Sequence, residues 1–263
     1  MSSADYHQRI AARFAAAART YDAHSAVQRH AAQRLAGLIA TSGLPPRVRA
    51  LEIGCGTGHL TRLLTIHLPG ARILATDIAP AMAAACRARL PMLDFAVMDG
   101  ARPAVAAPFD LICANLAAQW FADLPAALAR LAALLAPGGM LAFSLLGADT
   151  FREWRAAHAR CGLAPGTPPF PSQKQCRAAF PAGGELRLLT ETHLDRPGSA
   201  LGFLRGLRAL GADSAAPGHA PLSPARLRRV MRELDAAPVM TYDIIYACWR
   251  NHPGKAPFSA HAR

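Results

Sequence analysis

Lysine is nearly missing from this chain. Of 29 basic residues only Lys174 and Lys255 are lysines, so the formal charge of +12 over 263 residues rests almost entirely on guanidinium groups. Aromatic residues make up only 6%, and no compact basic run interleaves with them, which argues against base stacking and against nucleic acid as a partner. No stretch approaches 18 uninterrupted apolar residues, so no membrane-spanning helix and no membrane partner are expected. The six cysteines, Cys55, Cys86, Cys113, Cys161, Cys176 and Cys248, contain no C-x-x-C pair and sit mostly in apolar segments. They read as reduced core thiols, and the scattered histidines show no zinc-ligand spacing, so no metal is expected. No Ser-His or His-Asp constellation stands out. Half of the residues are apolar, ample for one α/β core, and a cytoplasmic location follows as the expectation.

What is present begins at Ala50-Leu-Glu-Ile-Gly-Cys-Gly-Thr-Gly58. An apolar run closing on Glu52, Gly54, Cys55, Gly56 and Gly58 is a strand entering a glycine turn, where the backbone bends tightly and a ligand approaches atoms that a Cβ would shield. A dinucleotide fingerprint would place a third glycine at position 59, which is His59. S-adenosylmethionine, which has no pyrophosphate to set against a helix N-terminus, fits that departure. Arg72 to Asp77 reads as the second strand, with Asp77 about 20 residues beyond the turn, the spacing at which an acid meets ribose hydroxyls. Phe95 to Asp99 reads as a third strand ending beside Gly100, and Phe109 to Asn115 as a fourth. Leu124 to Leu135 reads as a helix stopped by Pro137-Gly138-Gly139, and Met140 to Leu146 as a fifth strand. Apolar strands alternating with helices give a doubly wound parallel sheet with its ligand crevice at the strands' carboxyl ends, where Glu52, Asp77, Asp99 and Asn115 are expected to converge. Beyond it, a helix over 150–161, a Pro-rich loop over 165–171 and helices over 199–210 and 223–234 are expected. Strands over 185–193 and 241–249 should close the sheet edge, the last antiparallel.

The stretch from Glu52 to Ser144 resembles a class I methyltransferase. Arg13-Phe14, Thr20-Tyr21-Asp22-Ala23-His24, Val27-Gln28-Arg29, Asn115-Leu-Ala-Ala-Gln-Trp120, Asp123-Leu124-Pro125, Leu207 to Ala212, Leu222-Ser223 and Thr241-Tyr242 resemble, in order, the malonyl-[acyl-carrier protein] O-methyltransferases of biotin synthesis. Thr150-Phe-Arg-Glu-Trp-Arg155 departs from that family's Thr-Leu-x-Glu-Leu-Arg, and Asp99-Gly100 from its Asp-Ala. The resemblance implies a single domain over 1–263 with a Rossmann-like, doubly wound, seven-stranded sheet. Its parts would be N-terminal cap helices (1–45), a cofactor-binding core (46–146), helical lid insertions (147–184 and 198–237) and final strands (185–195 and 241–250). The Ala- and Arg-rich start then reads as a cap helix rather than a targeting segment.

The same resemblance implies S-adenosyl-L-methionine as cofactor, with Ile78, Met82 and Gly100 beside Asp77 and Asp99. Tyr21 would close over its methionine end with Gln28 nearby, and Asn115, Gln119 and Trp120 would line the methyl-transfer side. Arg155 would hold the substrate's negative end, with Arg152 in reserve. The implied substrate is malonyl-acyl-carrier protein, whose acidic carrier suits a basic chain, or malonyl-CoA. Three rivals remain: a relative of the complex I assembly group that hydroxylates arginine, a cofactor-binding interaction protein without turnover and, more distantly, an RNA methyltransferase.

Overall fold

The computed structural model describes residues 3–234 and 238–252. Lys255 and residues 235–237 of the second lid insertion lie outside them. Three helices come first: α1 (Ser3–Ala17), the single turn α2 (Tyr21–His24) and α3 (Ala26–Ala40). The core alternates β1 (Arg49–Ile53), α4 (His59–His67), β2 (Arg72–Asp77), α5 (Pro80–Arg89), β3 (Asp94–Val97), β4 (Phe109–Asn115), α6 (Leu124–Ala133) and β5 (Leu135–Leu146). Then follow α7 (Arg152–Arg160), α8 (Gln173–Ala179), β6 (Gly184–Asp195), α9 (Ala200–Ala209), α10 (Pro224–Leu234) and β7 (Met240–Asn251).

The seven strands form one sheet in the order β3-β2-β1-β4-β5-β7-β6. The first five pair in parallel, and β7 runs antiparallel to both β5 and β6. Central strands are apolar nearly throughout because helices cover both faces. On one face Leu35, Ile39, Leu60 and Leu64 join Phe151, Trp154, Phe203 and Val230 of the later helices in one core. On the other, Leu128, Leu131, Cys176 and Phe180 pack on Ile112, Leu141, Phe143 and Trp249. Edge strand β6 alternates between exposed and half-buried residues.

Several boundaries differ from the sequence reading. Pro137-Gly138-Gly139 does not stop α6, which ends at Ala133; these residues lie inside β5, where pairing with β4 shifts register between Phe109 and Leu111. The third strand ends at Val97, two residues before Asp99. Helix α8 was absent from the sequence expectation, although Ser172 and Gln175 form a full capping box that marks its start. All six cysteines are free thiols. Among the described residues no helix is long and apolar enough to cross a membrane, and no cluster of His, Cys, Asp or Glu could hold a metal ion.

Candidate active site

The strand order reverses between β1 and β4, and the carboxyl ends beside that switch point face a cavity lined by Ile53, Gly54, Gly56, Asp77, Asp99 and Asn115. Gly54, Gly56 and Gly58 have φ of +67°, +54° and +96°, a region that L side chains avoid. A Cβ at Gly54 would lie 2.5 Å from that of Ala117. Gly56 N–H donates to Asp77 Oδ2 at 2.9 Å and Ala79 N–H to Oδ1 at 2.8 Å. Burial pushes the Asp77 carboxyl up, opposed by the N–H groups of Ala79, Gly56 and Ile78. Asp99 Oδ1 accepts from Ala101 N–H at 2.9 Å. Ile78, Met82 and Met98 supply apolar walls, and His7, Ile10 and Phe14 of α1 close the cavity from above. Bare backbone, a buried acid at the tip of β2 and flat apolar walls fit an adenosyl group.

A second cavity adjoins the first. Phe151, Trp154, Phe170, Phe203, Leu207 and Tyr242 give it an aromatic and aliphatic lining drawn from α7, the Pro-rich loop, α9 and β7. Phe14, Tyr21, Leu116 and Trp120 line both cavities and thus form the wall between them. Phe14 meets Trp120 edge-on, with ring centroids 5.7 Å apart. Leu116 sits at φ +49°, held where Ser144 Oγ accepts its N–H at 2.9 Å and donates to Asn115 Oδ1 at 2.7 Å.

Tyr21 is fixed from behind. Its neighbour Asp22 accepts from Thr57 Oγ1, inside the glycine turn, at 2.5 Å and pairs with Arg89 of α5. Burial works against the Asp22 carboxylate, yet the hydrogen bonds from Arg89 and Thr57 and the charges of Arg89 and His59 hold it below the usual range. Burial, then the nearby Asp77 and Asp22, push the Tyr21 phenol well above its ordinary value, so it remains a neutral donor.

The expected site residues divide. Tyr21, Gly54, Gly56, Asp77, Ile78, Met82, Asp99, Gly100, Asn115 and Trp120 line the first cavity. Gln28 and Gln119 line only the second. Glu52, Cys55 and Gly58 line neither. Because side chains alternate along a strand, Ile53 faces the cavity and Glu52 turns beneath it. Only 1% exposed, Glu52 has one carboxyl oxygen without a partner, and burial pushes it up to about 8, partly opposed by Thr61. Nor does Arg155 face the cavity: its guanidinium donates to the carbonyls of Thr150 and, at 2.6 Å, Ala148, so it ties down the β5–α7 connection. Arg152 pairs with Glu153 at 3.1 Å. The roles of Asp22, Phe14 and Leu116 were not read from the sequence. Asp22 and Phe14 lie in stretches that carry the resemblance, but only the fold shows what they touch.

Residues 51–141 match the family described as a methyltransferase domain. The YcgJ protein of Bacillus subtilis has a similar fold, with a TM-score of 0.61 at 15% identity, covering 84% of this chain and all of that one. A biotin biosynthesis bifunctional protein BioCD of Bordetella avium is 45% identical over 93% of this chain and 53% of its own length, so the chain spans about half of that relative. A malonyl-[acyl-carrier protein] O-methyltransferase of Magnetococcus marinus is 42% identical over 86% of both chains. On that similarity the chain belongs to the malonyl-[acyl-carrier protein] O-methyltransferase family, built on the class I methyltransferase fold.

Proposed function

We propose that this chain methylates the free carboxylate of a malonyl thioester carried on acyl-carrier protein, with S-adenosylmethionine as donor, at the step its relatives serve in biotin synthesis. One observation carries the reading: a cavity suited to an adenosyl group and an apolar cavity suited to an acyl chain share a single wall, so their occupants meet at Phe14, Tyr21, Leu116 and Trp120. Relatives named for this reaction favour it over an arginine hydroxylase or a non-catalytic binding protein.

When bound, the sulfonium cofactor supplies an electrophilic methyl group. Asp77 would accept hydrogen bonds from the ribose, Asp99 would sit beside the adenine, and Ile78, Met82 and Met98 would enclose its faces. The carboxylate oxygen would take the methyl carbon, with the bonding pair returning to sulfur and no proton required to move. A malonyl carboxylate is already ionised near neutrality, so no general base is needed. Opposite charges cancel as the bond forms, so a dry, apolar meeting point favours the transition state over solvated reactants. Excluding water is the work of α1 and the aromatic lining. Incubation with labelled cofactor and malonyl-acyl-carrier protein should yield a base-labile methyl ester and rescue a biotin-requiring bacterium. Absence of transfer where the cofactor binds would refute the reading.

A further inference from the structure

The second cavity has a polar spot that the cofactor does not claim. Gln28, in the first turn of α3, lines it with its amide oxygen buried and unpartnered. Its backbone is fixed, because Asn115 Nδ2 donates to Gln28 O at 3.0 Å. Among the described residues no hydrogen bond engages the Gln28 amide nitrogen. Its neighbours are already committed. Gln119 Nε2 donates to Leu116 O at 2.7 Å, and both ends of the Asn115 amide are taken, by Gln28 O and by Ser144 Oγ. Tyr21 brings a neutral phenol to the wall that both cavities share.

No lysine or arginine lines this cavity among the described residues. Its charged or titratable groups besides the tyrosines are Asp213, paired with Arg13 at 3.4 Å, and His219, packed over Gly166. Like Gln28, both line the second cavity alone, and Asp213 already has its cation. An anion entering this cavity finds the Gln28 amide and, at the shared wall, the Tyr21 hydroxyl, but no guanidinium.

We propose that the malonyl carboxylate is held by neutral donors, the side-chain amide of Gln28 and the phenol of Tyr21, without a cationic side chain in contact with it. This rests on the methylation reading and adds how the nucleophile is gripped. Rotating the Gln28 amide by half a turn exchanges its oxygen and nitrogen and presents N–H groups to the carboxylate. The chemistry favours such a grip. Carboxylate charge disappears as the ester forms, so an arginine would stabilise the reactant more than the transition state and raise the barrier. A neutral donor orients one oxygen at smaller cost, while the donor's own sulfonium provides the countercharge.

The test compares Gln28→Leu, Gln28→Glu and Arg155→Gln with the parent, using methyl transfer to malonyl-acyl-carrier protein and calorimetric binding of that thioester to the S-adenosylhomocysteine complex. Gln28→Leu should weaken malonyl-thioester binding and raise KM roughly tenfold or more, the loss of a hydrogen bond to a charged group. It should also erase the preference for malonyl over butyryl thioester and leave S-adenosylhomocysteine affinity within about twofold. Gln28→Glu should bind the malonyl thioester more weakly still, and Arg155→Gln should keep the parental KM. A folded Gln28→Leu with parental KM, or a folded Arg155→Gln with KM raised tenfold, would overturn the grip while leaving methylation intact. A parent that neither binds nor methylates malonyl-acyl-carrier protein removes both.

Discussion

At Asp77 one carboxylate serves two masters, the glycine turn and the proposed ribose. Asp77→Asn exchanges an acceptor oxygen for an N–H donor that faces either Gly56 or Ala79. Cofactor affinity measured by calorimetry should fall roughly 10- to 100-fold, the loss expected for charge-assisted bonds. Gly100 is constrained by volume: a Cβ there would lie 2.0 Å from Ile53 Cγ2. Ile53 is β-branched and lines the cofactor cavity, so Gly100→Ala should displace it into that space and weaken cofactor binding roughly tenfold. Glu52 behaves differently. In the fold its carboxyl stays protonated up to about 8, whereas the ordinary value in the unfolded chain is 4.5. Between those limits the native state binds more protons, so this group's contribution to stability declines as pH rises from 4.5 to about 8. Glu52→Gln lacks that decline; its Tm relative to the parent should climb across the same window, with cofactor affinity little changed because Glu52 lies off the cavity wall. Asp77 could be read from sequence because spacing and strand ending both point to it. The placement of Glu52 could not, since its motif says which residue is acidic and only strand alternation says which way it faces.

Among the elements, α2 is small but consequential: Asp22 joins it to Thr57 of the glycine turn and Arg89 of α5, which sets Tyr21 above Gly56. Asp22 is over a third exposed, so stability depends on it modestly. Asp22→Ala should lower Tm by roughly 2–4 °C while reducing kcat more than the small stability change explains, measured at saturating cofactor. The parallel core was legible because β2 and β4 are largely apolar runs ending in Asp77 and Asn115, β1 runs straight into the glycine turn, and Met140 to Leu146 of β5 is apolar but for Ser144. Less legible were short elements stabilised by caps and tertiary contacts. Helix α8 depends on its Ser172–Gln175 box and on Cys176 and Phe180 in the core, while the Pro-Gly-Gly of β5 lies in the register shift between the paired Leu135 and Met140, where Arg250 donates to Gly138 O at 2.8 Å. Propensity at those positions favours a turn, and long-range partners override it. Arg155 misled for a similar reason: a motif position fixes the residue, but the carbonyls of Ala148 and Thr150 claim its guanidinium.

Over the whole molecule the charge of +12 is unevenly useful. Arg205 and Arg208 are exposed on α9, whose Phe203, Leu204 and Leu207 line the second cavity, and Arg226, Arg228, Arg229 and Arg232 are exposed on neighbouring α10. An acidic carrier would be drawn to this face, speeding encounter more than tightening the final complex. Raising salt from about 0.05 to about 0.5 M shortens the screening length several-fold. KM for malonyl-acyl-carrier protein should then rise by roughly an order of magnitude, with far less change for malonyl-pantetheine. The Arg228→Glu, Arg232→Glu double variant should reproduce that rise at low salt. The partition built from Phe14, Tyr21, Leu116 and Trp120 bears on how such a protein can diversify. Any exchange at those four positions reshapes two rooms at once, so acyl preference and donor affinity are inherited together there and their effects will not add. Phe170 and Leu207, which border one room alone, leave substrate range free to drift while the grip on the donor stays as it was.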